Sequence, residues 1–263
     1  MNRRDKKVPN GACMEQNIVV ERSERVCTLR IDRPAKKNAL TSEMYGRMAD
    51  AICDANDDAE CRAILITGVP GTFCAGNDLN AFMNPEGTGE QVLRFLHELS
   101  HAPKPLVIGV TGIAIGIGAT MLLHADYAVA ADDAQFKMPF TELALVPEAA
   151  STLLIPSRLG RRVAGELLLL SEPFDARRAV EWGFVNRLVA ADRVIEEAMG
   201  VARRFAALPP DAVQATKKLI REPEIDRIEA AMRRELDCFG ERLRSPELFE
   251  AVGRMLGKND APS

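Results

Sequence analysis

Residues 106–118 read LVIGVTGIAIGIG, an apolar run that passes directly into a turn with three glycines. The run at residues 106–110 predicts a short buried strand. The glycines that follow precede a segment, residues 116–124, that reads as a helix. A glycine-rich turn between a strand and a helix exposes main-chain N–H groups, which suit a phosphate or an oxyanion.

The rest of the chain alternates between predicted strands and predicted helices. Residues 17–21 and 26–31 indicate a hairpin with its turn at residues 23–24. Thr41 is placed to cap the helix that follows it. Further strands are expected at residues 63–67, 127–131 and around 186–189. Apolar strands that alternate with helices predict an α/β core.

Composition limits the class of protein. The chain has 263 residues, 47% of them hydrophobic and 27% charged, as in ordinary globular proteins. A net charge of −4 argues against binding to nucleic acid or to an anionic membrane. No apolar run reaches the roughly 18 residues that a membrane span needs. Six cysteines without CxxC spacing are expected to be reduced, as in an intracellular protein, and with three histidines no metal site is expected.

A second glycine turn, FCAGNDL at residues 73–79, follows the strand predicted at residues 63–67. The TGIAIGIG turn also looks like the cofactor turn of short-chain dehydrogenases. Those proteins carry that turn after their first strand and need a Tyr-x-x-x-Lys pair. The chain has two tyrosines, Tyr45 and Tyr127, and the residue four positions after each is alanine. A dinucleotide site is therefore disfavoured.

Glu148 lies in a largely apolar stretch, residues 138–160, MPFTELALVPEAASTLLIPSRLG. The preceding Pro147 predicts that residues 147–149 form the first turn of a helix. A helix N-terminus favours a charged carboxylate, whereas burial against neighbours such as Leu145 raises its pKa. Glu148 is thus a candidate general base. The alternative is a helix-start glutamate that only offsets the helix dipole.

Five segments, in this order and spacing, resemble the enoyl-CoA hydratase/isomerase family, or crotonase superfamily. They are IDRPAKKNAL (31–40), ITGVPGTFCAGNDL (66–79), KPLVIGVTGIAIGIG (104–118), AQF (134–136) and DARRAVEWGFV (175–185). The resemblance implies an α/β fold of repeated strand-strand-helix units with a C-terminal helical trimerisation region. It also implies an acyl-CoA thioester substrate whose carbonyl oxygen lies between two main-chain N–H groups.

This resemblance divides the chain into three parts. Residues 1–14 are expected to be a disordered tail, residues 15–207 an acyl-CoA-binding core, and residues 208–258 a helical oligomerisation region. The last region carries an apolar face that includes Met232, Leu236 and Phe239. That face either contacts another subunit, in a homotrimer or a hexamer of two trimers, or folds back on the chain's own core.

The matching motifs assign the two N–H donors to Asn77 and Ile117. They also place the CoA ester near residues 35–37 and near residues 75–79, the latter through main-chain contacts. For Lys36 and Lys37 the alternative is that they belong to a solvated loop. The residues expected to bind the CoA ester are Ala35, Lys37, Ala75, Gly76, Asn77, Asp78, Leu79, Ile117 and Phe140.

Two departures from the family pattern bear on the reaction. Hydratases of this family carry glutamates where this chain has Thr120 and Phe140. Phenylalanine cannot replace a carboxylate and threonine is a poor substitute, so a hydratase of the two-glutamate type is disfavoured. GNDL and PFTELALVPEA resemble instead the Δ3,Δ2-enoyl-CoA isomerase branch. In that branch a single glutamate after a proline is the base, which corresponds to Glu148. No metal ion and no redox cofactor is implied.

Other interpretations stay open. A hydratase or lyase could use Glu148 alone, and a non-catalytic acyl-CoA-binding scaffold would also fit. An RNA-binding role is disfavoured by the acidic helix at residues 42–58.

Three further side chains are considered for the site. Glu142 could also reach the pocket. Asp78 is expected to fix its own turn, and Cys74 is expected to be packed rather than nucleophilic. The final residues DAPS are not a peroxisomal address, so a cytoplasmic location is expected.

Overall fold

The structure is a computed structural model that describes residues 17–78 and 88–259. Its strands are β1 (Ile18–Ser23), β2 (Val26–Ile31), β3 (Ala63–Thr67), β4 (Thr72–Cys74), β5 (Leu106–Val110), β6 (Ile113–Ile115), β7 (Tyr127–Ala131), β8 (Gln135–Lys137), β9 (Phe174–Asp175) and β10 (Arg187–Val189). Its α-helices are α1 (Ser42–Asp57), α2 (Thr88–His101), α3 (Ile117–Thr120), α4 (Ser151–Arg158), α5 (Arg161–Ala164), α6 (Ala176–Glu181), α7 (Val194–Ala207), α8 (Pro210–Arg242) and α9 (Pro246–Asn259).

The strands form two sheets. The larger has the order β1-β2-β3-β5-β7-β10, in which the β1–β2 pair is antiparallel and the other pairs are parallel. The smaller has the order β4-β6-β8-β9, with an antiparallel β8–β9 pair. Every residue of β3 and β5 is buried, as expected for parallel strands covered on both faces. The predicted α/β fold is confirmed.

The longer predicted elements are present. The hairpin is present, but its turn lies one residue later than predicted, at Glu24 and Arg25, because Ser23 still belongs to β1. Their φ angles of 51° and 64° match the two left-handed residues of a tight hairpin turn. Thr41 caps α1 by accepting a hydrogen bond of 3.3 Å from the N–H of Met44. The helix expected at residues 116–124 is present as α3 and a 3₁₀ turn, Met121–His124.

The smaller sheet was not predicted. Its strands are two or three residues long, which is too short for a periodic pattern of apolar residues to show. Each glycine-bearing segment contains one of these short strands. Strand β4 overlaps the start of FCAGNDL, and β6 lies within TGIAIGIG. The sheet therefore pairs the two turns directly.

The prediction that residues 147–149 form the first turn of a helix is wrong. Helix α4 begins at Ser151, and Ala149 and Ala150 before it have φ angles of 59° and 56°. Residues in this left-handed region cannot continue a right-handed helix. Glu148 consequently lies on the turn that leads into α4.

The C-terminal region is helical, as predicted. Part of α8 folds back on the chain's own core, since Ile228 and Ala231 are buried. Another part of α8 is open, with Leu219 and Ile220 each 70% exposed. Contact with another subunit, and the division of the chain into three parts, stay predictions. Within the described ranges, no helix combines the length and the apolar character that a membrane span requires.

Candidate active site

The two glycine turns meet through the register of β4 and β6. These strands run parallel, and Cys74 pairs with Ala114. Asn77 and Ile117 each lie three residues beyond this pair, so they occupy equivalent positions at the same edge of the sheet. The sequence assigned the two N–H donors to these two residues.

The close packing of the two turns requires glycine. Gly76 and Gly116 have positive φ angles of 94° and 55°, a conformation that strains other residues. A Cβ atom added to Gly118 would lie 2.6 Å from the carbonyl oxygen of Cys74. A side chain at Gly118 would push the turns apart, and one at Gly76, with its Cβ atom 3.0 Å from the carbonyl oxygen of Ile115, would crowd them.

The N–H groups that flank Asn77 are used to hold its turn. The N–H of Ala75 donates to the carbonyl of Lys37 over 3.0 Å, and that of Asp78 donates to the carbonyl of Leu40 over 2.9 Å. Among the described residues, the N–H groups of Asn77 and Ile117 have no hydrogen-bond acceptor. Main-chain N–H groups without an acceptor are uncommon in folded proteins, and two of them at matching positions of adjacent turns are suited to an oxyanion.

Two side chains that the sequence did not identify support this turn. The side-chain amide of Asn38 is buried and donates to the carbonyl oxygens of Ile31, Thr72 and Phe73. Arg33 forms an ion pair of 2.7 Å with Asp78. The sequence analysis expected Asp78 to fix its own turn. The ion pair links the side chain of Asp78 to the segment that carries Arg33 and so holds the turn against that segment.

Glu148 is partly buried and hydrogen-bonded. The hydroxyl of Thr120, itself fully buried, donates to Oε1 of Glu148 over 2.5 Å. Burial raises the pKa of Glu148 to about 8, although the hydrogen bond from Thr120 lowers it, and the negative charge of Glu235 raises it further. A carboxyl with a pKa near neutrality can both accept and return a proton.

Glu235 on α8 was missed by the sequence analysis. Its carboxylate accepts hydrogen bonds from the N–H of Ala150 (2.7 Å), and from the N–H (2.9 Å) and the hydroxyl (2.6 Å) of Thr152. It therefore stabilises the start of α4, where the sequence analysis had considered Glu148, as the alternative to a base, for offsetting the helix dipole. The sequence signal for Glu235 was its position as an acidic residue on the otherwise apolar helix face formed by Met232, Leu236 and Phe239.

One cavity of about 270 Å³ brings several of these groups together. Its polar lining includes Tyr45, Asn77, Glu148 and Glu235, and Tyr45 donates a short hydrogen bond to Oδ1 of Asn77. Burial raises the pKa of Tyr45 well above its usual value, so its hydroxyl stays protonated. The apolar lining comes from α2, α8 and nearby turns: Leu40, Val92, Leu93, Leu96, Ala149, Met232, Leu236, Phe239 and Leu243.

Other residues proposed from the sequence lie elsewhere. Phe140 is buried but does not line this cavity, and neither do the residues expected to contact CoA at Ala35, Lys37, Ala75, Gly76, Asp78 and Ile117. Leu79 falls outside the described residues. These assignments to the CoA ester stay predictions.

Two further side chains can be placed. Glu142 is exposed and forms an ion pair of 2.8 Å with Lys137, so it does not enter the pocket. Cys74 is fully buried, and burial raises the pKa of its thiol to about 12. The expectation that Cys74 is a packed residue is confirmed, because a thiol with this pKa supplies almost no thiolate.

Comparison with known proteins shows where the chain belongs. The model of the family described as enoyl-CoA hydratase/isomerase matches residues 21–260. The 1,2-epoxyphenylacetyl-CoA isomerase of Escherichia coli (strain K12) is 32% identical over 93% of this chain and 97% of its own length. Enoyl-CoA delta isomerase 2 of Rattus norvegicus is 32% identical over 92% of this chain, which spans 64% of that protein.

A solved structure agrees. The crystal structure of an enoyl-CoA hydratase/isomerase from Pseudoalteromonas atlantica T6c superposes with a TM-score of 0.89 at 42% identity, over 94% of this chain and 99% of that one. Sequence and fold thus lead to the same group of acyl-CoA enzymes. The chain belongs to the enoyl-CoA hydratase/isomerase family, the crotonase superfamily.

Proposed function

We propose that the protein moves the double bond of a 3-enoyl-CoA to give the 2-enoyl-CoA, with Glu148 as the only base. The observation that carries the proposal is the carboxylate of Glu148, with its raised pKa, in an apolar cavity that Asn77 also lines. The paired turn at Ile117 would supply the second N–H donor.

The reaction starts with the removal of a proton from C2. Glu148 accepts this proton, and the electron pair of the C–H bond moves toward the thioester, so that negative charge develops on the carbonyl oxygen. The N–H groups of Asn77 and Ile117 would stabilise that charge, and one such donor is worth roughly 3 kcal/mol in characterised oxyanion holes. Protonated Glu148 then gives the proton to C4, which leaves the double bond between C2 and C3.

One carboxylate is enough for this sequence of steps. Both carbon atoms belong to one allylic system, and the base that loses its proton at C4 is ready for the next substrate. Thr120, at one of the two positions where hydratases carry glutamate, already donates its hydroxyl to Glu148. The proposed reaction requires neither a metal ion nor a redox cofactor.

The CoA moiety is proposed to run along two neighbouring segments, residues 35–37 and 75–79. Their contact through Ala75 and Lys37 supports a shared surface. The exposed apolar side chains of Leu219 and Ile220 support a homotrimer or a hexamer of two trimers. A cytoplasmic location belongs to the same proposal.

Hydration of a 2-enoyl-CoA, or a related lyase reaction, is the second candidate. The observation that favours it is the second carboxylate in the cavity, that of Glu235. Addition of water needs one group to activate the water and one to handle the second proton. Both oxygens of Glu235 already accept hydrogen bonds, so the isomerase is favoured.

The test is the conversion of 3-hexenoyl-CoA to 2-hexenoyl-CoA by the wild-type protein and by Glu148→Gln. Loss of a general base is expected to lower kcat by about 10²–10⁴-fold. Glu142→Gln is the matched control, because Glu142 is an exposed glutamate outside the cavity, and its activity should equal that of the wild type.

Three results would contradict the proposal. Full activity of Glu148→Gln would exclude Glu148 as the base. Hydration of crotonyl-CoA without isomerisation of 3-hexenoyl-CoA would favour the hydratase. Binding of both esters without turnover of either would favour an acyl-CoA-binding scaffold.

A further inference from the structure

The turn that carries Glu148 is held on both sides by side chains to which the proposed reaction gives no role. On one side, Nε2 of His124 lies 2.9 Å from the carbonyl oxygen of Ala149. On the other, the carboxylate of Glu235 accepts from Ala150 and from Thr152. His124 and Glu235 are both buried, at 2% and 6% exposure.

This turn would not hold its shape without such partners. Ala149 and Ala150 both adopt left-handed φ angles, which alanine disfavours and which persist only where the surroundings impose them. The N–H of Ala150 also precedes the first turn of α4, where main-chain N–H groups lack partners within the helix. Glu235 supplies an acceptor to this N–H group and thereby fixes the strained conformation.

We propose that Glu235 is a positioning residue for Glu148: its carboxylate fixes the turn at residues 148–150 so that Glu148 faces the cavity that both side chains line. This inference rests on the proposed function of Glu148. Glu235 is not a second base, because its two oxygens accept three hydrogen bonds. A carboxylate is needed at this position because all three partners are hydrogen-bond donors. The NH₂ group of a glutamine would face one of these donors and could not accept its hydrogen bond.

The charge of Glu235 adds an electrostatic effect to this geometry. Of the other titratable groups around the two carboxylates, Tyr45 and Cys74 have raised pKa values and the buried His124 has a lowered one, so all three are neutral near pH 7. Burial raises the pKa of Glu235 above its usual value, whereas the hydrogen bonds from Thr152 and Ala150 and the charge of exposed Arg234, on α8, lower it. The negative charge of Glu235 makes Glu148 harder to ionise, and its removal should make ionisation of Glu148 easier.

The experiment compares Glu235→Gln with Glu229→Gln, the same chemical change on the same helix at a residue that does not line the cavity. In Glu235→Gln we expect kcat for 3-hexenoyl-CoA to fall on the order of ten- to a hundredfold, as for a small misplacement of a reacting group. We expect KM to stay unchanged and the acid limb of the pH–rate profile to move to lower pH. Glu229→Gln should behave as the wild type. Wild-type kcat and an unmoved acid limb in Glu235→Gln would overturn the inference.

A second variant covers the case in which Glu235→Gln does not fold. Thr152→Val removes one donor to Glu235 and keeps its carboxyl group, so kcat should fall, but by less than in Glu235→Gln. An unchanged kcat in this variant would then overturn the inference.

A third readout does not depend on turnover. The carboxyl ¹³C signal of Glu148, assigned with Glu148→Gln, can be titrated by NMR in the wild type and in Glu235→Gln. If the wild type fails to isomerise 3-hexenoyl-CoA, the proposed function fails, but this titration still decides the inference. A lower pKa of Glu148 in Glu235→Gln supports it, and an unchanged pKa contradicts it.

Discussion

The two halves of the site are built differently. The turns around Asn77 and Ile117 are shaped by glycines, by strand pairing and by main-chain hydrogen bonds to a neighbouring segment. The turn that carries Glu148 is held by the side chains of His124 and Glu235, and the carboxylate of Glu148 itself by the hydroxyl of Thr120. The first half depends on close backbone packing, and the second depends on a few polar side chains. Substitutions should therefore affect the two halves in different ways.

Among the residues that support the two halves, Glu148 itself set aside, the largest effect is expected where the two glycine turns touch. In Gly118→Ala the new Cβ atom would lie 2.6 Å from the carbonyl oxygen of Cys74 and would force the turns apart. Loss of one oxyanion donor costs about 10²–10³-fold in kcat, so a loss of that size is expected with 3-hexenoyl-CoA, with no shift of the pH optimum.

Gly165→Ala is the control for this substitution. A Cβ atom at Gly165 would have nothing within 4 Å, and its backbone is right-handed helical. Its activity should equal that of the wild type. Near-normal activity in Gly118→Ala would show that the spacing of the two turns does not set the rate.

The next effect concerns the hydrogen bond to Glu148. Thr120→Val keeps the shape of a fully buried side chain and removes the hydroxyl that donates to the carboxylate. Since this bond lowers the pKa of Glu148, its loss should raise that pKa by roughly one unit. The acid limb of kcat/KM should then move to higher pH, with activity regained in alkaline buffer. An acid limb at the wild-type pH would mean that Thr120 does not stabilise the charged form.

The buried carboxylate should also cost stability. The pKa of Glu148 is about 8 in the folded protein and 4.5 for an ordinary glutamate. Between these values the unfolded chain loses its proton first, so this group makes the free energy of unfolding fall as pH rises. Each unit of difference corresponds to about 1.4 kcal/mol. In urea unfolding, Glu148→Gln should gain stability relative to the wild type between pH 5 and pH 8. A difference that stays constant with pH would contradict the assignment.

The smallest effect is expected from Tyr45→Phe. This change removes the hydrogen bond from the phenol to the side chain of Asn77 and leaves the main-chain N–H of Asn77 in place. A bond of this kind contributes about 1 kcal/mol, so kcat/KM should fall less than tenfold, without a change in its pH dependence. A loss as large as that of Gly118→Ala would show that the side chain of Asn77 sets the position of its main chain.

The sequence predicted the first half of the site better than the second. Glycines at 76, 116 and 118 mark positions where only glycine fits, and they could be recognised without a structure. The larger sheet was also predictable, since β3 and β5 are continuous apolar runs. The strands of the smaller sheet are too short to leave a pattern.

The second half gave no comparable signal. Ala149 and Ala150 carry no indication of a left-handed turn, because alanine rarely adopts one. Glu235 contacts Ala150 from 85 positions away in the chain, and local patterns cannot predict such a contact. The motif identified Glu148 itself, but the groups that hold it became visible only in the folded chain.

The pH dependence of kcat/KM for 3-hexenoyl-CoA in the wild-type protein tests the central claim most directly. If a buried Glu148 must be ionised to remove the proton at C2, kcat/KM should rise with pH and reach half of its maximum near pH 8, in line with the raised pKa of Glu148. A rate that is already at its maximum near pH 6 would contradict this account, because the base would then ionise as an ordinary exposed carboxylate does.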